Sequence, residues 1–391
     1  MKIAVLGNIA GVAHEVVAGL REKGIKADLF MTEQEFAVAR EDLSGQFDFL
    51  GAKVRILDPG QSGTCLGARL ISFVRKCFVA LGLLRYDLIH SHTGSLCWSI
   101  LPYLLYVRGR FRPYLAFATG SDFREMARSD TGRNGDLMRA FFRQADEVLL
   151  LNNDMLMFKD GMGFSRAHFF PFVINEEKFA PRAVSGARHP QQLNLFMMSN
   201  LDFGITDNDP RRNSIKANDN VFRALPLFVS GGGRAHLIVI DRGSDREVAK
   251  RLVSELALTE HVTFKAPLSE EERLRHLADA DVVLDQFHLG AFGLGALEAM
   301  SMGRPLITFV HPDAFAMSYG TRPDPFVNAK GPEQICDALW RLRDPAVREE
   351  LSAAARTFIL ECHSRAAVIP RLVGLYRRHA RSGAGYWATV A

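Results

Sequence analysis

The sequence predicts an α/β fold class: two Rossmann-like, doubly wound domains in one chain. Three observations lead there. Short apolar runs rich in β-branched residues alternate with helical periods along most of the chain, the pattern of parallel sheets. The pattern also begins twice: 2–6 and 193–199 are apolar strands that lead into Asn8 and Asn200, each followed by a loop and a helix. Finally, 391 residues are enough for two or three domains with separate cores.

Composition narrows the class. With 48% hydrophobic and 24% charged residues, the chain reads as a soluble globular protein. A net charge of +4 is too weak to argue for a nucleic-acid partner. Cys65, Cys77, Cys97, Cys336 and Cys362 are odd in number and scattered, without a C-x-x-C. That usage points to a reducing compartment and to neither a disulfide framework nor a zinc site. Met1 runs directly into a strand pattern, so no signal peptide is expected. No uncharged run reaches the roughly 18–20 apolar residues of a membrane span. A cytoplasmic location is the expectation.

In the first half, strand 2–6, the turn Gly7–Gly11, helix 14–23 and strand 25–30 make a βαβ opening. It lacks G-x-G-x-x-G and an acidic residue placed for a dinucleotide ribose, so no dinucleotide cofactor is expected. A short strand follows at 54–57. The stretch 68–84 is apolar on a helical period but carries Arg69, Arg75 and Lys76, and 103–117 mixes aromatics with Arg108, Arg110 and Arg112. Such segments suit either an anionic membrane surface or buried helices with snorkelling arginines. A strand at 86–92 ends in His90 and His92, which share one face; as a metal pair they lack a third ligand of suitable spacing. Gly120 permits tight backbone geometry before Asp122, which is placed to cap the next helix. A helix at 137–144, strands at 147–151 and 167–172, and a linker at 182–192 rich in Pro, Gly and Ser complete a domain over 1–182.

The second half, 193–365, begins with strand 193–199. Its polar loop 202–219 holds Asp207-Asn208-Asp209, formally D-x-D but better read as turn chemistry, so no metal site is assigned. Strands at 235–240 and 262–265 alternate with helices at 246–256 and 269–278, the latter opened by a Ser269/Glu272 capping box. Then come a buried strand at 281–285, the glycine-rich turn Gly290–Gly295, and a helix at 294–302 stopped by Gly303-Arg304-Pro305. A strand, a Gly-rich turn and a helix N-terminus together hold phosphate. Glu298, one turn into the helix, is placed to accept ribose hydroxyls. A last strand at 305–310, an irregular loop at 311–328, and helices at 332–343 and 346–360 lead to a basic helix from 363, assigned with the tail as 366–391.

The segment FGLGALEAMSMGRPLI, from Phe292 to Ile307, resembles the nucleotide-sugar signature of the retaining GT-B glycosyltransferases of family 4: E-x7-E followed by EAMA-x-G-x-P-V-I. Glu298 matches the second glutamate, which holds ribose; the first, which holds the sugar, falls on Gly290. Asp285 and His288 are the nearest polar residues to stand in for it. Lys216-Ala217-Asn218-Asp219 resembles the family's K-G-N-D, whose lysine neutralises the donor β-phosphate beside an arginine that falls on Arg211. The loop at Asn8 resembles the one facing acceptor and donor phosphates. The segment ending at His92 resembles D-x-I-H-x-H, and Ala118–Asp122 resembles H-G-S-D, with Thr119 for the histidine.

The resemblance implies two domains facing a cleft, with the C-terminal helix crossing back to the first. It implies retaining, metal-independent transfer from a nucleotide-sugar, a substrate rather than a cofactor, to a glycan or lipid-linked acceptor. Polysaccharide or glycolipid biosynthesis at the inner face of a membrane would be the setting. Lys216, Arg211, His92 and Asp122 take catalytic roles, while Glu298, Phe292, Gly293, Leu294, Gly290 and Asn8 hold the donor. The departures at Gly290 and Thr119 keep two alternatives open: a catalytically degenerate GT-B binding subunit and a nucleotide-sugar epimerase.

Overall fold

The computed structural model describes residues 1–8, 11–32, 54–56, 66–92, 113–164, 166–184, 191–204 and 215–385. The chain divides into two units, 1–173 together with the C-terminal helix Arg365–Gly385, and Ile174–Ser364. The division falls ahead of the Pro-, Gly- and Ser-rich 182–192.

In the first unit β1 (Lys2–Leu6), β2 (Lys26–Met31), β3 (Val54–Ile56), β4 (Leu88–His92), β5 (Tyr114–Ala118), β6 (Glu147–Leu150) and β7 (Ala167–Phe169) form a parallel sheet in the order β3-β2-β1-β4-β5-β6-β7. The chain starts at β1, winds outward to β3, then returns to lay β4 on the other side of β1. That reversal creates a switch point at the carboxyl ends of β1 and β4, where doubly wound sheets bind ligands. β5 corrects the sequence reading of 103–117: Tyr114–Ala118 is a fully buried central strand, and Arg108, Arg110 and Arg112 lie outside the described residues. An aromatic cluster of Tyr114, Phe123, Phe141 and Phe142 backs β5 and β6. The C-terminal helix packs on helix Val12–Glu22 at Gly19, where a Cβ would stand 2.5 Å from Ile369 Cγ1. Arg365 fastens the same contact, donating to Glu15 at 2.9 Å and to Glu22 at 2.7 Å.

In the second unit β8 (Leu193–Met197), β9 (Ala235–Ile240), β10 (Val262–Lys265), β11 (Val282–Leu284), β12 (Leu306–Thr308) and β13 (Val327–Asn328) make a parallel sheet in the order β10-β9-β8-β11-β12-β13. Its switch point lies between β8 and β11. The capping box is formed: Ser269 Oγ accepts from the Glu272 N–H while Glu272 returns a bond to the Ser269 N–H at 2.9 Å. Two expectations change. The strand at 305–310 is not last, because β13 pairs outside it. The loop at 311–328 contains a helix, Pro312–Tyr319, since Pro in the first turn loses no hydrogen bond there. Among the described residues, no helix is long and apolar enough to cross a membrane.

Candidate functional site

The second unit's site is built at the β8/β11 switch point. Ser199, just past β8, donates its hydroxyl to the Asp285 carbonyl at 2.7 Å, binding the ends of the two strands together. Asn218 is fully buried and donates to the Asn200 carbonyl at 2.8 Å. The Phe287 N–H donates to the Lys216 carbonyl at 2.7 Å. These bonds dock the 215–219 segment beside the Gly-rich turn. Ala217, where the motif has glycine, adopts φ +49, the left-handed region that suits glycine.

Lys216 Nζ donates to Gln286 Oε1 at 2.8 Å. Gln286, itself buried, donates from Nε2 to the Ala291 carbonyl inside the turn. The ammonium is thus placed near the N-terminus of helix Leu294–Ser301, where an anion also meets the helix dipole. Asp285 lies within its field. Burial pushes the Asp285 carboxyl up, against the opposing effects of Lys216 and the Gly293 N–H.

The residues assigned to the donor are arranged as follows. Gly293 precedes the helix, but its N–H donates to Asp285 Oδ2 at 2.8 Å, so in this structure that amide serves the carboxylate rather than a diphosphate. Leu294 opens the helix. Phe292 is buried edge-on against Phe326, with centroids 5.1 Å apart, so its ring anchors the turn to the core. Gly290 stands at φ +77, and a Cβ there would lie 3.2 Å from His311 Cβ. The missing first glutamate therefore reflects a turn whose backbone disfavours any side chain. Glu298 is buried, and its Oε2 accepts from the guanidinium of Arg273 on helix Glu270–Asp279. Arg273 also lies over the Phe179 ring, 5.5 Å from its centroid. His288 is half-buried, and Arg211 and Asp207–Asp209 lie outside the described residues.

In the first unit, Asn8 follows β1 and His92 ends β4, side by side in the sheet order. The His14 N–H donates to Asn8 Oδ1 at 3.1 Å, while the buried Asn8 Nδ2 has no partner among the described residues. His92 is fully buried, and burial pushes its imidazole down to about 3. Asp122 accepts N–H bonds from Thr119, Gly120 and Phe123 at 2.9, 2.7 and 2.8 Å. Its carboxylate closes the loop after β5 rather than capping the helix, whose N-cap is Ser121 without a side-chain bond. Among the described residues, no cluster of three or more His, Cys, Asp or Glu has metal-binding geometry.

Sequence reading missed Gln286 and Arg273. Gln286 had a faint signal, a polar residue directly after a buried strand. Arg273 had none, because its link to Glu298 joins two helices.

The fold is the two-domain α/β fold of GT-B glycosyltransferase structures. Residues 211–315 match the family model described as glycosyl transferases group 1, which bears out the resemblance carried by Glu298 and its neighbours. The fold comparison agrees: sucrose-phosphate synthase from Thermosynechococcus elongatus superposes with a TM-score of 0.72 at 19% identity, over 97% of this chain and 98% of that one. Anabaena HepE, solved with UDP and glucose, gives a TM-score of 0.70 at 11% identity, over 97% and 100%. Among curated proteins, D-inositol 3-phosphate glycosyltransferase of Acidothermus cellulolyticus is 25% identical over 176 residues, 43% of this chain and 39% of the relative. Its counterpart in Thermomonospora curvata is 29% identical over 151 residues, 36% and 35% respectively. The chain thus matches little more than a third of the length of these curated relatives.

Proposed function

We propose that this protein is a retaining glycosyltransferase that moves a sugar from a nucleotide-sugar to a glycan or lipid-linked acceptor, without a required metal. The observation that carries the reading is Lys216, fixed by Gln286 at the Gly-rich turn that opens helix Leu294–Ser301, one turn before Glu298. A cation and a helix tip stabilise a diphosphate, and a buried carboxylate accepts ribose hydroxyls. The UDP-bound neighbour supports a nucleoside diphosphate in the same kind of fold.

In the proposed reaction the C1–O bond to the β-phosphate breaks and its electron pair goes to the phosphate oxygen, next to Lys216. The acceptor hydroxyl oxygen attacks C1 from the face the phosphate leaves, giving retention. Its proton passes to the leaving phosphate oxygen, so no protein base is needed. Glu298 binds ribose as Arg273 yields or shares its carboxylate. Asp285 is the proposed replacement for the motif's first glutamate. Arg211 would add a second cation, and His92 serves the acceptor side in the first unit.

A lipid-linked acceptor at a membrane surface is part of the proposal. Helix Leu66–Leu83 exposes Leu70, Ile71, Phe73, Val74, Phe78 and Leu81, with Phe78 70% accessible. Arg69 and Arg75 are exposed on the same helix. Apolar side chains flanked by arginines suit an anionic interface.

The decisive experiment is a thermal-shift screen of UDP, GDP, ADP and their common sugar conjugates, followed by transfer assays with and without EDTA. Binding at a hundred times Kd adds about 2.7 kcal/mol. One nucleotide family should stabilise the native protein and not Glu298→Ala. No stabilisation by any of them would favour the binding-subunit alternative, which draws on the left-handed Gly290.

A further inference from the structure

Three buried groups in the first unit form a chain that ends in an orphan atom. His90 and His92 alternate along β4 and their rings stack with centroids 4.6 Å apart. His90 also lies on Phe117, 3.6 Å between centroids. Its Nδ1 meets the hydroxyl of Tyr376, fully buried on the C-terminal helix. His90 Nε2 faces His92 Nε2 at 2.8 Å. His92 Nδ1, at the other end, is buried with no partner among the described residues.

The protons in this chain can be counted. Both imidazoles are neutral, because burial pushes each well down. An Nε2 to Nε2 contact between neutral rings holds one proton, so the two rings are opposite tautomers. If Tyr376 donates to His90 Nδ1, His90 carries its proton on Nε2 and gives it to His92 Nε2. His92 then carries its own proton on Nδ1, and that N–H is the chain's one unmet group. If the order is reversed, the Tyr376 O–H is left buried without an acceptor and His92 Nδ1 becomes an unmet lone pair. That arrangement has two unmet groups where the first has one, and each unmet buried group carries its full desolvation cost. The first is favoured.

We propose that Tyr376 is a positioning residue that acts through His90 to hold His92 as an Nδ1–H donor for an oxygen of the acceptor. His92 in that state cannot take a proton from the acceptor hydroxyl. The inference rests on the proposed transferase reading for its ligand, but the tautomer itself does not depend on that reading.

The test uses the full chain with 15N-labelled histidine, resonances being assigned with His90→Gln and His92→Asn. The expected spectrum has His92 protonated at Nδ1 and His90 at Nε2. Tyr376→Phe keeps the ring and removes the proton donor, and should mix or reverse both tautomers while the thermal midpoint reports the fold. Protonation of His92 at Nε2 in the native protein, or tautomers unchanged by Tyr376→Phe, overturns the proposal. With the donor selected by the screen above, Tyr376→Phe should lower kcat about tenfold at constant donor KM. His92→Asn, which keeps an N–H donor near the Nδ1 position, should retain kcat within a few fold, whereas His92→Leu should lose at least tenfold. Equal losses in the Asn and Leu variants would overturn the donor role. A native protein without transferase activity would defeat the proposed function, and the spectra would still decide the tautomer.

Discussion

Lys216 and Gln286 form a cation–amide pair, Nζ to Oε1 at 2.8 Å, and the amide's other end is bonded to the Ala291 carbonyl. A neutral amide orients the ammonium without itself cancelling its charge, and the buried Asp285 carboxyl lies in the same field. Gln286→Leu should therefore lower kcat by about ten- to a hundredfold, the range for losing a preorganised electrostatic contact or its alignment. Gln286→Glu should lower it as well by pairing with Lys216. Steady-state kinetics on the native donor checks both, and unchanged kcat in the Leu variant would remove Lys216 from the mechanism proposed here.

Gly290 is the position where the signature lacks its first glutamate. Restoring that residue should not restore a typical site. The backbone is left-handed at φ +77, and a Cβ would press on His311 Cβ at 3.2 Å. Gly290→Glu should cost about 1–2 kcal/mol of stability and should not raise kcat. Asp285→Asn is the complementary variant: if Asp285 covers for the missing carboxylate, it reduces kcat at least tenfold. A Gly290→Glu protein as stable as the native and more active would contradict this account of the turn.

Ala217 carries the opposite substitution, a side chain where the motif has glycine, at φ +49. Left-handed backbone costs a non-glycine residue about 1–2 kcal/mol, partly offset by the greater chain entropy that glycine loses on folding. Ala217→Gly should be neutral to stabilising, by up to about 1 kcal/mol in chemical denaturation of the second unit's transition. A clear destabilisation would mean that the Ala217 methyl, packed against the second unit's core, matters more than the strain.

The Glu15–Arg365 pair should show in the acid limb of stability. Burial pushes the Glu15 carboxyl up, but His14 and the Arg365 guanidinium outweigh it and leave it lowered from its usual range. A carboxyl lowered on folding contributes stability that is complete above its unfolded value and fades as pH falls through its folded one. Glu15→Gln should thus lower the thermal midpoint at neutral pH and flatten its fall below about pH 4.5, near the unfolded value. Parallel melting curves across the acid range would rule the pair out as a pH-dependent contributor.

For the membrane contact, the test is co-sedimentation with anionic phosphatidylglycerol vesicles against neutral phosphatidylcholine. Binding should favour the anionic vesicles and weaken with salt. Leu70→Ser with Phe78→Ser, both more than half exposed, should weaken it at least tenfold without loss of stability. Unaltered binding would exclude helix Leu66–Leu83 as the contact.

The strands from Lys2 to Thr308 were largely legible because a parallel strand buried on both faces is an apolar run between turn signals. Tyr114–Ala118 was hidden among arginines and aromatics that mimic an amphipathic segment. Helix Pro312–Tyr319 was hidden because its prolines read as loop residues, although Pro312 suits a first helical turn. At the site, Glu298 and the Gly-rich turn were visible as local spacing, and Lys216 through its resemblance to K-G-N-D. Asp285 was visible as a carboxylate; its bond to the Gly293 N–H was not.

The sequence by itself determined two doubly wound halves and a Gly-rich turn opening the helix that carries Glu298, which follow from periodicity and short-range spacing; the lysine segment ahead of them was marked by its resemblance to K-G-N-D. Only the tertiary structure decided that Arg273 holds Glu298, that Gln286 orients Lys216, and that Tyr376 reaches His90 across a separation of 286 residues. Such pairings arise from helices and strands packing at a common core. They depend on where each element's face is directed, which no local pattern records.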